Sequence, residues 1–150
     1  MAKFKFRLAT LLRLRETARD ERRVELAEAY HVDDLLRGRC DELAAELDAA
    51  RQRCRRAAGP GTVDVDLLLE TQRYELTLRF QQGQLEQQRQ AVAAEIERRR
   101  AALVEANREV RVLEKLRDNQ SERHRQEEGR REIKQLDEVA QRRGAREEVG

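Results

Sequence analysis

Leu36, Cys40, Leu43, Leu47, Ala50, Cys54 and Ala57 recur at alternating spacings of four and three residues. That is a heptad rhythm, which puts one narrow apolar stripe on one face of a helix. Followed backwards, the same register meets Ala29, Leu26, Leu12 and Leu8, but also Asp33, Arg22, Arg19 and Arg15. The stripe therefore weakens in the first half, where Leu11, Leu14 and Ala18 offer a shifted alternative. A second run carries two rows spaced by seven. One is Leu78, Leu85, Val92, Arg99, Ala106 and Leu113; the other is Ile96, Leu103, Val110, Arg117 and His124. This stripe fades in "RDNQSERHRQEEGRR", and a short apolar set, Ile133, Leu136 and Ala140, follows it.

Between the two runs lies "AAGPGT", the one strong helix breaker. Gly59-Pro60-Gly61 does not fit inside a helix. Thr62 or Asp64 just beyond it can cap a new helix. The pattern predicts an all-α chain: one helix over about 4–57, a turn at 58–63, a second, longer helix over about 64–143, and a frayed tail at 144–150. Two long amphipathic helices joined by a short turn favour a single antiparallel coiled-coil hairpin. At about 1.5 Å per residue the first helix spans roughly 80 Å and the second roughly 120 Å. The second then overhangs the first by about 40 Å, over roughly residues 120–150. An apolar face there is expected to dock on something outside the hairpin.

Composition separates a long helix from disorder. Charged residues make up 41% of the 150, aromatics 3%, and mean hydropathy is −0.94. Disorder of that charge content comes with proline, serine and glycine. Here there is one proline, and the excess lies in Arg, Glu, Gln, Leu and Ala, which are good helix formers. The net charge is only +2 and the signs are mixed, the mark of a solvated helix face rather than a nucleic-acid footprint. Residues 3–23 alone are locally basic, with Lys3, Lys5, Arg7, Arg13, Arg15, Arg19, Arg22 and Arg23 against Glu16, Asp20 and Glu21. "MAKFKFRLATLLRLRE" holds no uninterrupted apolar stretch, so neither a secretory signal nor a membrane span is expected.

No catalytic arrangement stands out. The lone Ser121 lacks a nucleophile-elbow context, and His31 and His124 have no partner at metal-ligand spacing. No glycine loop follows a strand. No enzyme activity, cofactor, metal or small-molecule substrate is expected. Cys40 and Cys54 read first as small seam residues. The sharper alternative is a disulfide between two chains in a structural homodimer.

Two stretches carry a family resemblance. The start, "FKFRLATLLRLRETARDERRVELAEAY", and above all "VRVLEKLRDNQSERHRQEEGRREIKQLDEVAQRR", with "VLEKL" followed by "IKQLDEVAQRR", resemble the FliJ family of flagellar export proteins. The hairpin with its short glycine turn is similar too. The resemblance implies a non-enzymatic stalk, like the central stalk of rotary ATPases, in the hexameric flagellar export ATPase. It implies contact with the cytoplasmic domain of the export gate and, in some members, with export chaperones. It places the protein in the cytoplasm, peripheral at the inner face of the cell membrane. On this chain the family's ATPase-ring end falls on Leu11, Leu12 and Leu14 with Ile133, Leu136, Asp137, Glu138 and Ala140. Its gate face falls on Tyr74, Leu78, Gln81 and Leu85, with Glu46 and Ala50 where the first helix of the family carries tyrosines. The equivalent stalk of an injectisome-type secretion system is the alternative in the same class.

Overall fold

The structure, a computed structural model, describes residues 2–150. Helix α1 runs Ala9–Ala57 and helix α2 runs Val65–Glu148, so the chain is an all-α, two-helix antiparallel hairpin with the second helix the longer. No strand occurs among the described residues.

The local chemistry explains the turn. Arg55 and Arg56 occupy the last turn of α1, where cations oppose the negative end of the helix dipole. The amides of Ala58 and Gly59 donate back to the carbonyls of Cys54 and Arg56, at 3.0 and 3.2 Å, and close the helix. Gly61 then takes φ 132°, a conformation that strains any residue with a Cβ. Of the two expected caps, Asp64 is the one used. Its Oδ1 accepts from the amide of Leu67 at 3.2 Å, and Asp66 adds an acidic group to the first turn.

Both outer boundaries differ from the sequence expectation. The first helix starts at Ala9, not near residue 4. Residues 3–8 alternate Lys, Phe, Lys, Phe, Arg, Leu; that is a period of two, and Phe4 and Phe6 are half-buried while Lys3, Lys5 and Arg7 are exposed. The segment runs as a non-helical strap that enters α1 through a turn from the amide of Ala9 to the carbonyl of Phe6, 3.2 Å. At the other end α2 passes through Gly144 and continues to Glu148, beyond the expected stop at 143, because 144–150 contains no proline or competing cap.

The chain divides into two compact units, Glu21–Val104 and the pairing of Met1–Asp20 with Glu105–Gly150. In the first, Leu43, Leu47, Ala50 and Leu78 form a buried cluster with Leu85 packed against it. Ala29 and Ile96 are buried further from the turn. Cross-helix pairs fix the antiparallel register: Arg51 to Glu75 at 3.4 Å near the turn, and Arg99 to the backbone carbonyl of Glu25 far from it. Asp33 is buried in the seam and held by Arg37 at 3.0 Å. In the second unit Leu12 and Val110 are buried and Arg15 pairs with Glu109 at 2.9 Å.

The heptad register of α1 thus continues unshifted through Asp33, Ala29 and Leu12. The alternative stripe through Leu11 and Leu14 is not the buried one, since both side chains are exposed. In α2 the two rows spaced by seven are the seam, including its polar members Arg99, Arg117 and His124, all partly buried. Cys40 and Cys54 are half-buried free thiols at seam positions of α1.

Leu43→Asp puts a charge where 1% of the side chain is exposed, and is expected to cost at least about 3 kcal/mol. Leu35→Asp, at 61% exposure on the same helix, is expected to stay within about 0.5 kcal/mol. Thermal unfolding followed by circular dichroism compares the two. Equal losses would contradict this assignment of the seam.

Candidate partner-binding surfaces

The unit formed by Met1–Asp20 and Glu105–Gly150 contains the expected ring-binding residues. Leu12 is one of its buried side chains, so it belongs to the helix–helix contact. Leu11 and Leu14 lie on the outer side of α1. Leu14 in particular is 62% exposed. Ile133, Leu136, Asp137, Glu138 and Ala140 are all exposed, as is every residue from 130 to 150. The bare part of α2 is therefore shorter than the expected 120–150. The reason is the strap: an extended residue advances about 3.3 Å against 1.5 Å in a helix, so seven residues reach far along α2.

The strap is anchored by aromatic contact. The rings of Phe4 and His124 lie 5.7 Å apart at 54°. Beside them is an open cleft of about 460 Å³, walled by Ala2, Ser121, Arg125 and Glu128 among others. Beyond it the seam register would continue through Arg131, Gln135 and Glu138, all exposed. Ile133, Leu136 and Ala140 do not follow that register. At about 100° per residue they share a face turned by roughly 165° from the seam, with Asp137 at its edge and Glu138 on the far side. The apolar set in the tail is thus a separate face. The structure does not bring it to Leu11 and Leu14: with Arg15 opposite Glu109, those two stand level with residues 110–113. That is about twenty residues, or roughly 30 Å, short of Ile133.

The expected gate residues lie in the Glu21–Val104 unit and divide in the same way. Leu78 is buried in the core cluster and Leu85 packs on it. Tyr74 and Gln81 are exposed. Tyr74 is held in place: its hydroxyl donates to Glu46 at 3.4 Å, and the Arg53 guanidinium lies 5.6 Å from its ring centre. Ala50 is fully buried beneath this region and presents nothing to a partner. A similar arrangement occurs further along, where Arg100 donates to the Tyr30 hydroxyl at 2.7 Å with its guanidinium 5.7 Å from the ring. That hydrogen bond, first among the causes, raises the Arg100 pKa. The Glu95 carboxyl is held below its ordinary value, chiefly by the hydrogen bond from Arg99. Among the described residues no group of three or more His, Cys, Asp or Glu side chains is placed to hold a metal ion. No helix is long and apolar enough to cross a membrane.

Residues 4–148 match the family model described as "Flagellar FliJ protein". The chain belongs to the FliJ family. It is accordingly a protein of the flagellar export apparatus. No curated protein and no solved structure matches it. The strap is the feature of this FliJ family member that helical periodicity alone misses. Its signal is the two-residue alternation of Phe4 and Phe6 with Lys3, Lys5 and Arg7.

Removing the Phe4 ring should release the strap. An aromatic pair is worth about 0.5–1.5 kcal/mol, so Phe4→Ala is expected to speed trypsin cleavage after Lys5 and Arg7 by roughly two- to tenfold. Cleavage within Glu21–Val104 should not change. Timed digestion read by mass spectrometry checks this, and an unchanged rate at Lys5 would mean the ring contact does not hold the strap.

Proposed function

We propose that the chain is the non-enzymatic stalk of a flagellar type III export ATPase, acting through the bare end of α2 on the hexameric ring and through its turn-proximal region on the cytoplasmic domain of the export gate. One observation supports the ring contact above others. From residue 130 onward every residue of α2 is exposed, yet Ile133, Leu136 and Ala140 form an apolar face off the seam register. An apolar helix face without intramolecular cover is what a docking helix requires. Asp137 at its edge supplies a polar rim, and Leu11 and Leu14 make a second, separate contact area on α1. Leu12 and Leu78 act through the hairpin, by holding these faces in place. At the gate-proximal end Tyr74 and Gln81 are the reachable side chains. The flagellar family match favours this system over an injectisome.

Ion pairs along both helices are exposed, for instance Arg39 with Glu42 at 2.9 Å. Such pairs are worth about 0–1 kcal/mol and exchange readily with partner groups, which suits a part that must make and break contacts.

ATP hydrolysis by the cognate export ATPase tests the reading when titrated with the full chain, with a version ending at Arg131, and with Leu136→Asp. Stimulation by the full chain, none by the truncation, and a half-saturating concentration raised at least tenfold by Leu136→Asp are expected. Helicity measured by circular dichroism should be unchanged in Leu136→Asp, because the side chain is 68% exposed. A truncation that stimulates as well as the full chain would sink the ring contact at residues 133–140.

A further inference from the structure

The first four turns of α2 carry a second apolar stripe that the hairpin does not use. Val65, Leu69, Leu76 and Phe80 are 60%, 47%, 63% and 68% exposed. At about 100° per residue they lie on one face, roughly 150° around α2 from the buried side formed by Thr71, Glu75, Leu78 and Leu85. Nothing among the described residues covers this face, because α1 packs on the other side. Two pairs of large apolar side chains, each pair one turn apart and the pairs two turns apart, share one face rather than showing the scattered exposure that is ordinary on a surface.

The pattern of this stripe identifies its occupant. Its spacings are four, seven and four residues, and they read the same in either direction. Such a row is complementary to itself when two helices run antiparallel about a two-fold axis. We propose that α2 pairs with α2 of a second copy of this chain through residues 65–80, with the axis passing between Gln72 and Arg73. Leu69 then faces Leu76 of the second copy, and Val65 faces Phe80 of the second copy, so every member of the stripe finds an apolar partner.

The flanking charges fit the same arrangement. Glu70 and Arg73 lie along one edge of the stripe, and neither side chain has an ion pair within the chain among the described residues. The other glutamate in this stretch, Glu75, is engaged with Arg51 and Arg79. In an antiparallel pair, edges on the same side meet. Glu70 therefore comes within about 3 Å, along the helix axis, of the level of Arg73 of the second copy on the same edge, and the symmetry gives the contact twice. A heterologous partner would have no need of a row that reads the same in both directions. This pairing is independent of the ring contact at residues 133–140, which lies in the other unit.

Sedimentation equilibrium of the full chain, in reductant so that Cys40 and Cys54 contribute no covalent link, tests the pairing. The wild-type chain is expected to reach the dimer mass at micromolar concentration. Leu76→Glu and Phe80→Glu are expected to weaken association at least a hundredfold, since a two-fold contact carries each change twice, with helicity unchanged. Glu70→Arg and Arg73→Glu should each weaken it, and the double swap should restore it. A wild-type chain that stays monomeric would overturn the proposal. So would a dimer that survives Leu76→Glu but is lost on Leu136→Asp, or a double swap weaker than either single change.

Discussion

Each helix of this chain packs against one other helix. A helix in a globular domain can bury a broad face against several elements, but here a face only one or two residues wide meets a single partner. That constraint explains the short list of buried apolar side chains, Leu12, Ala29, Leu43, Leu47, Ala50, Leu78, Ile96 and Val110. It also fits the small residues Ala29 and Ala50 among the buried positions of α1. It also leaves most of the circumference to charge, and so to many weak ion pairs spaced three or four residues apart along each helix.

A narrow seam cannot exclude polar groups entirely, and the ones it admits are supported. Arg99 reaches across to the Glu25 carbonyl, and its own carboxylate partner Glu95 lies one turn back at 2.8 Å. Asp33 keeps Arg37 beside it. A one-heptad slip would separate the Arg99 guanidinium from that carbonyl. Polar layers of this kind cost stability relative to leucine, yet they make alternative registers worse still.

The seam was legible in the sequence because a heptad rhythm has only one structural reading over so many turns. Leu43, Leu47, Ala50, Leu78, Ile96 and Val110 all fall where the spacing puts them, and the breaker at Gly59-Pro60-Gly61 marks the turn. The start of the chain is less legible. Phe4, Phe6 and Leu8 alternate, but their composition also suits a helix, and only the contact of Phe4 with His124 decides between the two. The docking residues were legible as a set and not as a surface. Leu12 and Leu78 are apolar residues of the right kind, yet the seam claims them, because a stripe's register shows which residues share a face and not which of two faces is covered. The same ambiguity hid Leu69, Leu76 and Phe80, whose spacing is as regular as that of the seam beside them.

The end of α2 beyond residue 130 is exposed along its whole length, and isolated segments of that length are marginal in water because the first turn is costly to form. Here that turn is never formed afresh, since the segment grows from a helix already fixed by Val110 and the residues around it. Only elongation remains, and elongation is nearly neutral per residue for a sequence rich in Arg, Glu and Gln. The segment therefore breathes from its tip inward, with amide hydrogens exchanging faster the closer they lie to Glu148, while its axis stays aligned with the supported part. A partner that grips it meets a surface already shaped and aimed, and loses little chain entropy in doing so.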